Sequence, residues 1–73
     1  MAIERGVWHR VDEARRTYFF EHRDALIITK VVRILFSDSG IHYVETEDGA
    51  KVIVAPGWTH IVIQNEGGWS ILP

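Results

Sequence analysis

The second half of the chain alternates between apolar runs rich in Val, Ile, Tyr and Trp and short runs rich in Gly, Pro, Asp and Asn. Residues of the first kind suit a pleated, half-buried surface, and residues of the second kind favour turns. The pattern predicts four strands, which cover residues 41–47, 50–55, 60–64 and 69–72. We therefore expect an antiparallel meander in this half.

Four turn segments separate these runs. Residues 37–40 predict a type I turn in which Gly40 takes the left-handed position. Asp48 and Gly49 predict a type I′ turn, since both tolerate positive φ. Residues 56–57 fit a type II turn, and residues 65–68 form the fourth turn.

The stretch 25–36 is apolar on both faces of an extended chain. As one straight strand it would span roughly 40 Å, which is too long for so small a domain, so we expect a bend or bulge near Thr29 and Lys30. One face can cover the core of the domain, and the other needs a further cover. We expect self-association to supply it, in a homodimer or larger oligomer with Val31 and Leu35 at the interface.

The stretch 8–24 has two interpretations. An apolar stripe at helical spacing favours a short N-terminal helix over residues 10–23, laid on one face of the sheet. The run Tyr18, Phe19 and Phe20 instead favours strands at 6–11 and 17–22, separated by a polar turn. We prefer the two strands.

The length of 73 residues indicates a single domain, residues 1–73, which buries only about 60% of the surface of the unfolded chain. The chain has no cysteine, which excludes disulfides and thiolate metal sites. The predicted fold is mainly β: an antiparallel meander of five to seven short strands, forming a small barrel or a strongly twisted sheet. An α+β fold with the N-terminal helix is the alternative.

Candidate chemistry is sparse. The four histidines lie 13, 20 and 18 residues apart, without the close spacing typical of zinc ligands, and no phosphate-binding loop or serine nucleophile motif occurs. We therefore predict no metal, no cofactor and no enzymatic activity. Neither a signal peptide nor a long apolar run is visible, so we expect a cytoplasmic protein.

These features favour a small non-enzymatic protein-interaction module, such as a regulatory subunit, adaptor or inhibitor of a larger complex. Residues 37–73 carry a net charge of −4, which predicts that an acidic hairpin faces a basic partner. Large aromatic residues fill the core of so small a domain, but Trp58 follows the turn at residues 56–57 and has a second interpretation at an exposed loop tip, where a tryptophan is a good interface anchor. The predicted partner-binding residues are Trp58, His60, Glu45, Glu47 and Asp48.

The alternative function is nucleic-acid binding through the first half, which carries a net charge of +2. Small β-domains bind single strands by stacking bases on aromatic side chains beside a basic groove. The residues predicted for such a surface are Arg10, Arg15, Arg16, Tyr18, Phe20 and Arg33.

Overall fold

A computed structural model describes residues 5–65 and 68–72, with side chains described for residues 5–65. It contains six strands and, over these residues, no helix: β1 (Trp8–Phe19), β2 (Leu26–Phe36), β3 (His42–Thr46), β4 (Lys51–Val54), β5 (His60–Asn65) and β6 (Gly68–Leu72). Side chains are described for the first five. The prediction of a mainly β domain is confirmed, and the described residues include no helix that could span a membrane.

All the strands pair antiparallel in one sheet, in the order β4-β3-β2-β1-β5-β6. The sheet is open, with β4 and β6 at its edges, so the predicted closed barrel is wrong. The Cα atoms extend 30 × 28 × 27 Å. A flat sheet could not have three nearly equal dimensions of 30 Å or less, because straight strands of 11 or 12 residues would be about 36–40 Å long. The sheet therefore curls strongly and forms its core on the concave face.

The structure of β1 differs from both interpretations of the N-terminal region, which are therefore wrong. Residues Trp8–Phe19 form one strand, where we expected a helix over 10–23 or two strands at 6–11 and 17–22. The register with β2 shifts between Arg10 and Glu13, where two residues of β1 face one of β2. This bulge bends the strand and lets it continue through the polar segment that we took for a turn. Two long strands thus replace the four short ones expected in the first half.

β2 bends where the sequence predicted, although it remains one strand. Lys30 has a positive φ of 55°, and the register with β3 shifts between Val31 and Arg33. Each irregularity changes which face the following side chains point to. As a result the buried positions of β2 are Ile28, Val31 and Ile34. They are three residues apart, whereas a regular strand with one buried face buries every second residue.

Two tight turns lie in the second half of the described chain. The N–H of Gly40 donates to the carbonyl of Ser37, and Gly40 has φ of 87°, as predicted. At the β3–β4 turn only Gly49 has positive φ, so the predicted type I′ turn is wrong. Instead, Glu47, Asp48 and Gly49 form a three-residue loop with glycine in the left-handed position. The predicted fourth turn falls partly outside the described residues.

The core lies on the concave face and brings together side chains from all five strands with described side chains. Its buried apolar members are Tyr18, Ile28, Val31, Ile34, Val44, Val54, Ile61 and Ile63. Val31 is 1% exposed, so its side chain belongs to the interior of its own chain. It is not available for the oligomer interface in which the sequence placed it.

Candidate functional site

A buried chain of polar side chains crosses the concave face. The Arg16 guanidinium donates to both carboxylate oxygens of Glu13, at 2.8 and 2.9 Å, and to the hydroxyl of Tyr18 at 3.2 Å. The Tyr18 hydroxyl lies 2.8 Å from Nδ1 of His42. Because that hydroxyl already accepts from Arg16, its proton is free to be donated to His42. No buried side-chain polar atom of the described residues lacks a partner.

Burial and the neighbouring charges shift the pKa values of three side chains in this network. Burial raises the pKa of the Tyr18 phenol, and the charge of Arg16 only partly opposes that effect. Burial also lowers the pKa of His42 to about 4, with a further contribution from the charge of Arg16. Burial alone would lower the pKa of Arg16, but the hydrogen bond to Glu13 and the nearby oxygens raise it. His42 is therefore neutral at pH 7, and the network serves to hold the core together.

Trp58 covers one end of this network. Its ring centroid lies 5.3 Å from that of Tyr18 and 4.5 Å from that of His42. The side chain is half-buried against the core, which favours the core interpretation over the exposed loop tip, both of which the sequence left open. His60 lies nearby in sequence but faces elsewhere, with its ring stacked on Phe19 at 4.6 Å.

The three acidic residues predicted to meet a partner do not form one patch. Glu45 lies on the outer face of β3, where its carboxylate is 2.7 Å from Nε of Arg33 and 3.9 Å from Nζ of Lys51. Its charge is neutralised within the sheet. Glu47 and Asp48 are exposed in the β3–β4 turn. Only these two remain available as an acidic group.

The six residues predicted for nucleic-acid binding do not form one surface either, because some are buried and others are exposed. Arg16 and Tyr18 are 2% and 0% exposed, so they cannot contact a polyanion. Arg33 is exposed but held by Glu45 and by the ring of Trp8, 5.3 Å from its guanidinium carbon. The remaining members, two exposed arginines and one half-buried aromatic residue, are Arg10, Arg15 and Phe20.

A row of apolar side chains crosses the outer face from β1 to β4. Trp8, Leu35, Tyr43 and Ile53 are successive register partners on four neighbouring strands, and side chains directly opposite in a sheet share a face. Leu35 and Tyr43 are half-buried, whereas Ile53 is 67% exposed. The row therefore ends on the open edge of the sheet with its most exposed member.

The open edge of β4 presents backbone groups that pair with no residue of the described chain. The N–H of Thr46 donates to the carbonyl of Ala50 at 2.9 Å, which fixes the phase of the ladder between β3 and β4. Because hydrogen-bonded pairs alternate in an antiparallel ladder, Val52 and Val54 bond to β3. The N–H and C=O groups of Lys51 and Ile53 therefore point away from the sheet.

A groove separates this edge from the first half of β2. No Cα atom of β2 lies within 8 Å of one of β4, so the two strands are too far apart to pair at about 4.8 Å. The cavity near the β3–β4 turn has a volume of about 540 Å³, and a second of about 410 Å³ lies farther along. Leu26 lines both cavities. Val52, Ile53 and Val54 of β4 each line one of them, so together the cavities form a groove beside this strand.

The described residues contain no group of three or more His, Asp or Glu side chains that could hold a metal ion. Compared with known protein families, curated proteins and solved structures, the chain matches none. The candidate site is therefore judged by its own geometry: a free strand edge, an apolar groove beside it and two acidic side chains at one end.

Sequence reasoning named Glu47 and Asp48 but missed the edge and the groove. The alternation in residues 50–55 identified a strand without showing which side of it would lack a partner. Strand order depends on pairing between distant segments, which a local pattern does not carry. The one local sign was Ile53, a large apolar residue on the face of β4 away from the core.

Proposed function

We propose that the chain is a small non-enzymatic protein-interaction module that captures an extended segment of a partner protein along the open edge of β4. The observation that carries this proposal is the set of outward-facing N–H and C=O groups of Lys51 and Ile53 beside the groove. An extended peptide can add a strand to such an edge, gaining affinity from backbone hydrogen bonds and specificity from its alternate side chains.

The composition of the edge supports capture of a partner. Natural proteins protect free edges with short strands, lysines, prolines, bulges or a covering loop. β4 is short and carries Lys51, but it has no proline and its other three residues are apolar. Its shortness, four residues, limits nonspecific pairing, whereas the groove beside it can receive side chains of a specific ligand.

Selection from a displayed library of random peptides tests the proposal. We expect the wild-type chain to enrich sequences with alternating apolar residues, and the selected peptides to lose at least about tenfold in affinity for Ile53→Pro. Proline removes the N–H at position 53, which the fold itself does not use, and is therefore tolerated on an edge strand. The matched control is Ile53→Val, which keeps the N–H and should keep binding.

Two results would overturn the proposal. One is selection of peptides that bind Ile53→Pro as tightly as the wild-type chain, since binding would then not use the edge. The other is a wild-type dimer that becomes a monomer in Ile53→Pro by light scattering. That result would identify a second copy of this chain as the occupant of the edge.

A further inference from the structure

We propose that the groove receives an extended peptide that runs antiparallel to β4 and carries basic residues at its C-terminal end. The inference rests on the proposed function and deepens it, because it names the direction and the chemistry of the bound segment. Three features determine it: the phase of the free backbone groups, the apolar floor of the groove and the charges at its two ends.

The direction follows from the pairing rules. Antiparallel pairing is slightly more stable per residue than parallel pairing. β4 begins at Lys51, beside the β3–β4 turn, and ends at Val54, near Asp24 and Ala25. A peptide antiparallel to β4 therefore has its C-terminal end beside the turn. Its backbone can bond to the groups of Lys51 and Ile53, two residues apart.

The floor of the groove selects apolar side chains at alternate positions. Leu26, Ile28 and Val52 line the cavity, and all three belong to the core or pack against it. Successive residues of a strand point to opposite faces, so every second peptide residue lies over this floor. The four residues of β4 span about 14 Å at about 3.4 Å per residue, which is enough to pair with four or five peptide residues.

The two ends of the groove differ in charge. Glu47, Asp48 and Lys30 line the end near the turn, which gives two carboxylates against one ammonium group. Arg23 and Asp24 line the other end, where the charges cancel.

Hydrogen bonds within the β3–β4 turn stabilise the charged form of Asp48. The Asp48 carboxylate accepts hydrogen bonds from the hydroxyl of Thr46 and the N–H of Ala50, which lower its pKa. Glu47 forms no ion pair with any described residue. A cationic residue is therefore favoured at the C-terminal end of the peptide and gains nothing at the N-terminal end.

Three synthetic peptides test the inference, each acetylated and amidated so that its termini carry no charge. All share an alternating Val-Thr core. The first has Lys-Arg at its C-terminal end, the second has Lys-Arg at its N-terminal end, and the third has Glu-Glu at its C-terminal end. Fluorescence anisotropy at about 20 mM salt, where screening is weak, measures their dissociation constants.

We expect the first peptide to bind about fivefold more tightly than the second, since an exposed ion pair contributes up to about 1 kcal/mol. We expect the third to bind more weakly than both. The preference should disappear in Glu47→Lys. It should persist in Asp38→Lys, which changes the net charge by the same amount on a different, exposed turn.

A preference for the second peptide, no preference, or a preference that survives Glu47→Lys overturns the inference. So does the absence of binding by all three peptides. The proposed function is decided separately by Ile53→Pro: if that variant loses the peptides whatever their charge, capture along β4 stands and only the stated peptide chemistry falls. If Ile53→Pro binds them unchanged, both fall.

Discussion

The concave face and the open edge of β4 differ in whether their polar groups are paired. Those on the concave face bond to one another, whereas those at the edge point away from the sheet. On the concave face, Glu13, Arg16, Tyr18 and His42 come from two separated strands and bond to one another, and no buried side-chain polar atom of the described residues lacks a partner. At the edge, the outward backbone groups of β4 have no partner among the described residues. Burial explains the contrast, because an unpaired polar group is costly in the interior but is hydrated at the surface.

The difference indicates which region is built for stability and which is free for binding. Side chains in the network cannot be recruited by a ligand without leaving buried partners unsatisfied. The edge loses only water when a peptide adds to it. Changes on the concave face should therefore alter folding, and changes at the edge should alter binding alone.

The largest expected effect comes from placing a charge in the core. We expect Val31→Glu to destabilise the chain by about 4 kcal/mol or more, because the carboxylate would be buried without a partner. A domain of this size has little more stability than that, so circular dichroism should show an unfolded protein. Leu35→Glu, on the outer row, should stay folded. If self-association uses Leu35, as the sequence predicts, this variant should have a lower mass by light scattering.

Removing the cation of the network should have the next largest effect. We expect Arg16→Ala to cost about 3 kcal/mol or more in urea unfolding, because it leaves the Glu13 carboxylate buried and uncompensated. The double variant Glu13→Leu with Arg16→Met removes both charges and should recover most of the loss. If Arg16→Ala were as stable as the wild-type chain, the ion pair on the concave face would contribute nothing to the free energy of unfolding.

Two proline substitutions in neighbouring positions compare the two sides of β4 directly. Val52→Pro removes an N–H that bonds to β3, and should cost about 1–3 kcal/mol. Ile53→Pro removes an N–H that faces the groove, and should change stability by less than about 0.5 kcal/mol. Thermal unfolding measures both. Equal losses would show that the phase assigned to the edge is wrong.

Changing the pH should have a smaller effect than these losses in the core and in the β3–β4 ladder, and the effect arises from His42. Its pKa is about 4 in the folded chain, below the ordinary value of 6.5, so between these values the unfolded chain binds more protons. The contribution to stability is therefore constant above about pH 6.5, falls as the pH falls to 4, and levels off below. Because the ring is partly exposed, we expect a loss of about 1 kcal/mol.

Urea unfolding at several pH values in this window measures that loss, with His42→Asn as the comparison. The asparagine oxygen can still accept from Tyr18 but does not titrate. The stability of the wild-type chain relative to His42→Asn should therefore fall as the pH falls from 6.5 to 4. A difference that stays constant from pH 6.5 to 4 would contradict the neutral, buried state of His42.

The candidate site could be predicted from the sequence only in part. Glu47 and Asp48 were identified as part of an acidic hairpin, although the sequence placed Glu47 at the end of a strand and only Asp48 in the turn. For Trp58 the sequence left open a core position and an exposed loop tip, and it is Tyr18 and His42 that provide it with a buried surface. Those two side chains come from β1 and β3, and no local pattern shows that they meet.

The sequence by itself determined the strand character of both halves and most of the turns, because β-propensity, glycine conformation and alternation are local properties. It also indicated the bend at Lys30. Only the tertiary structure decided that residues 8–19 form one bulged strand, that Val31 faces inward, and that β4 is an edge beside a groove. Each of these depends on register between distant segments, and one unpaired residue in a strand reverses the face of every side chain that follows it.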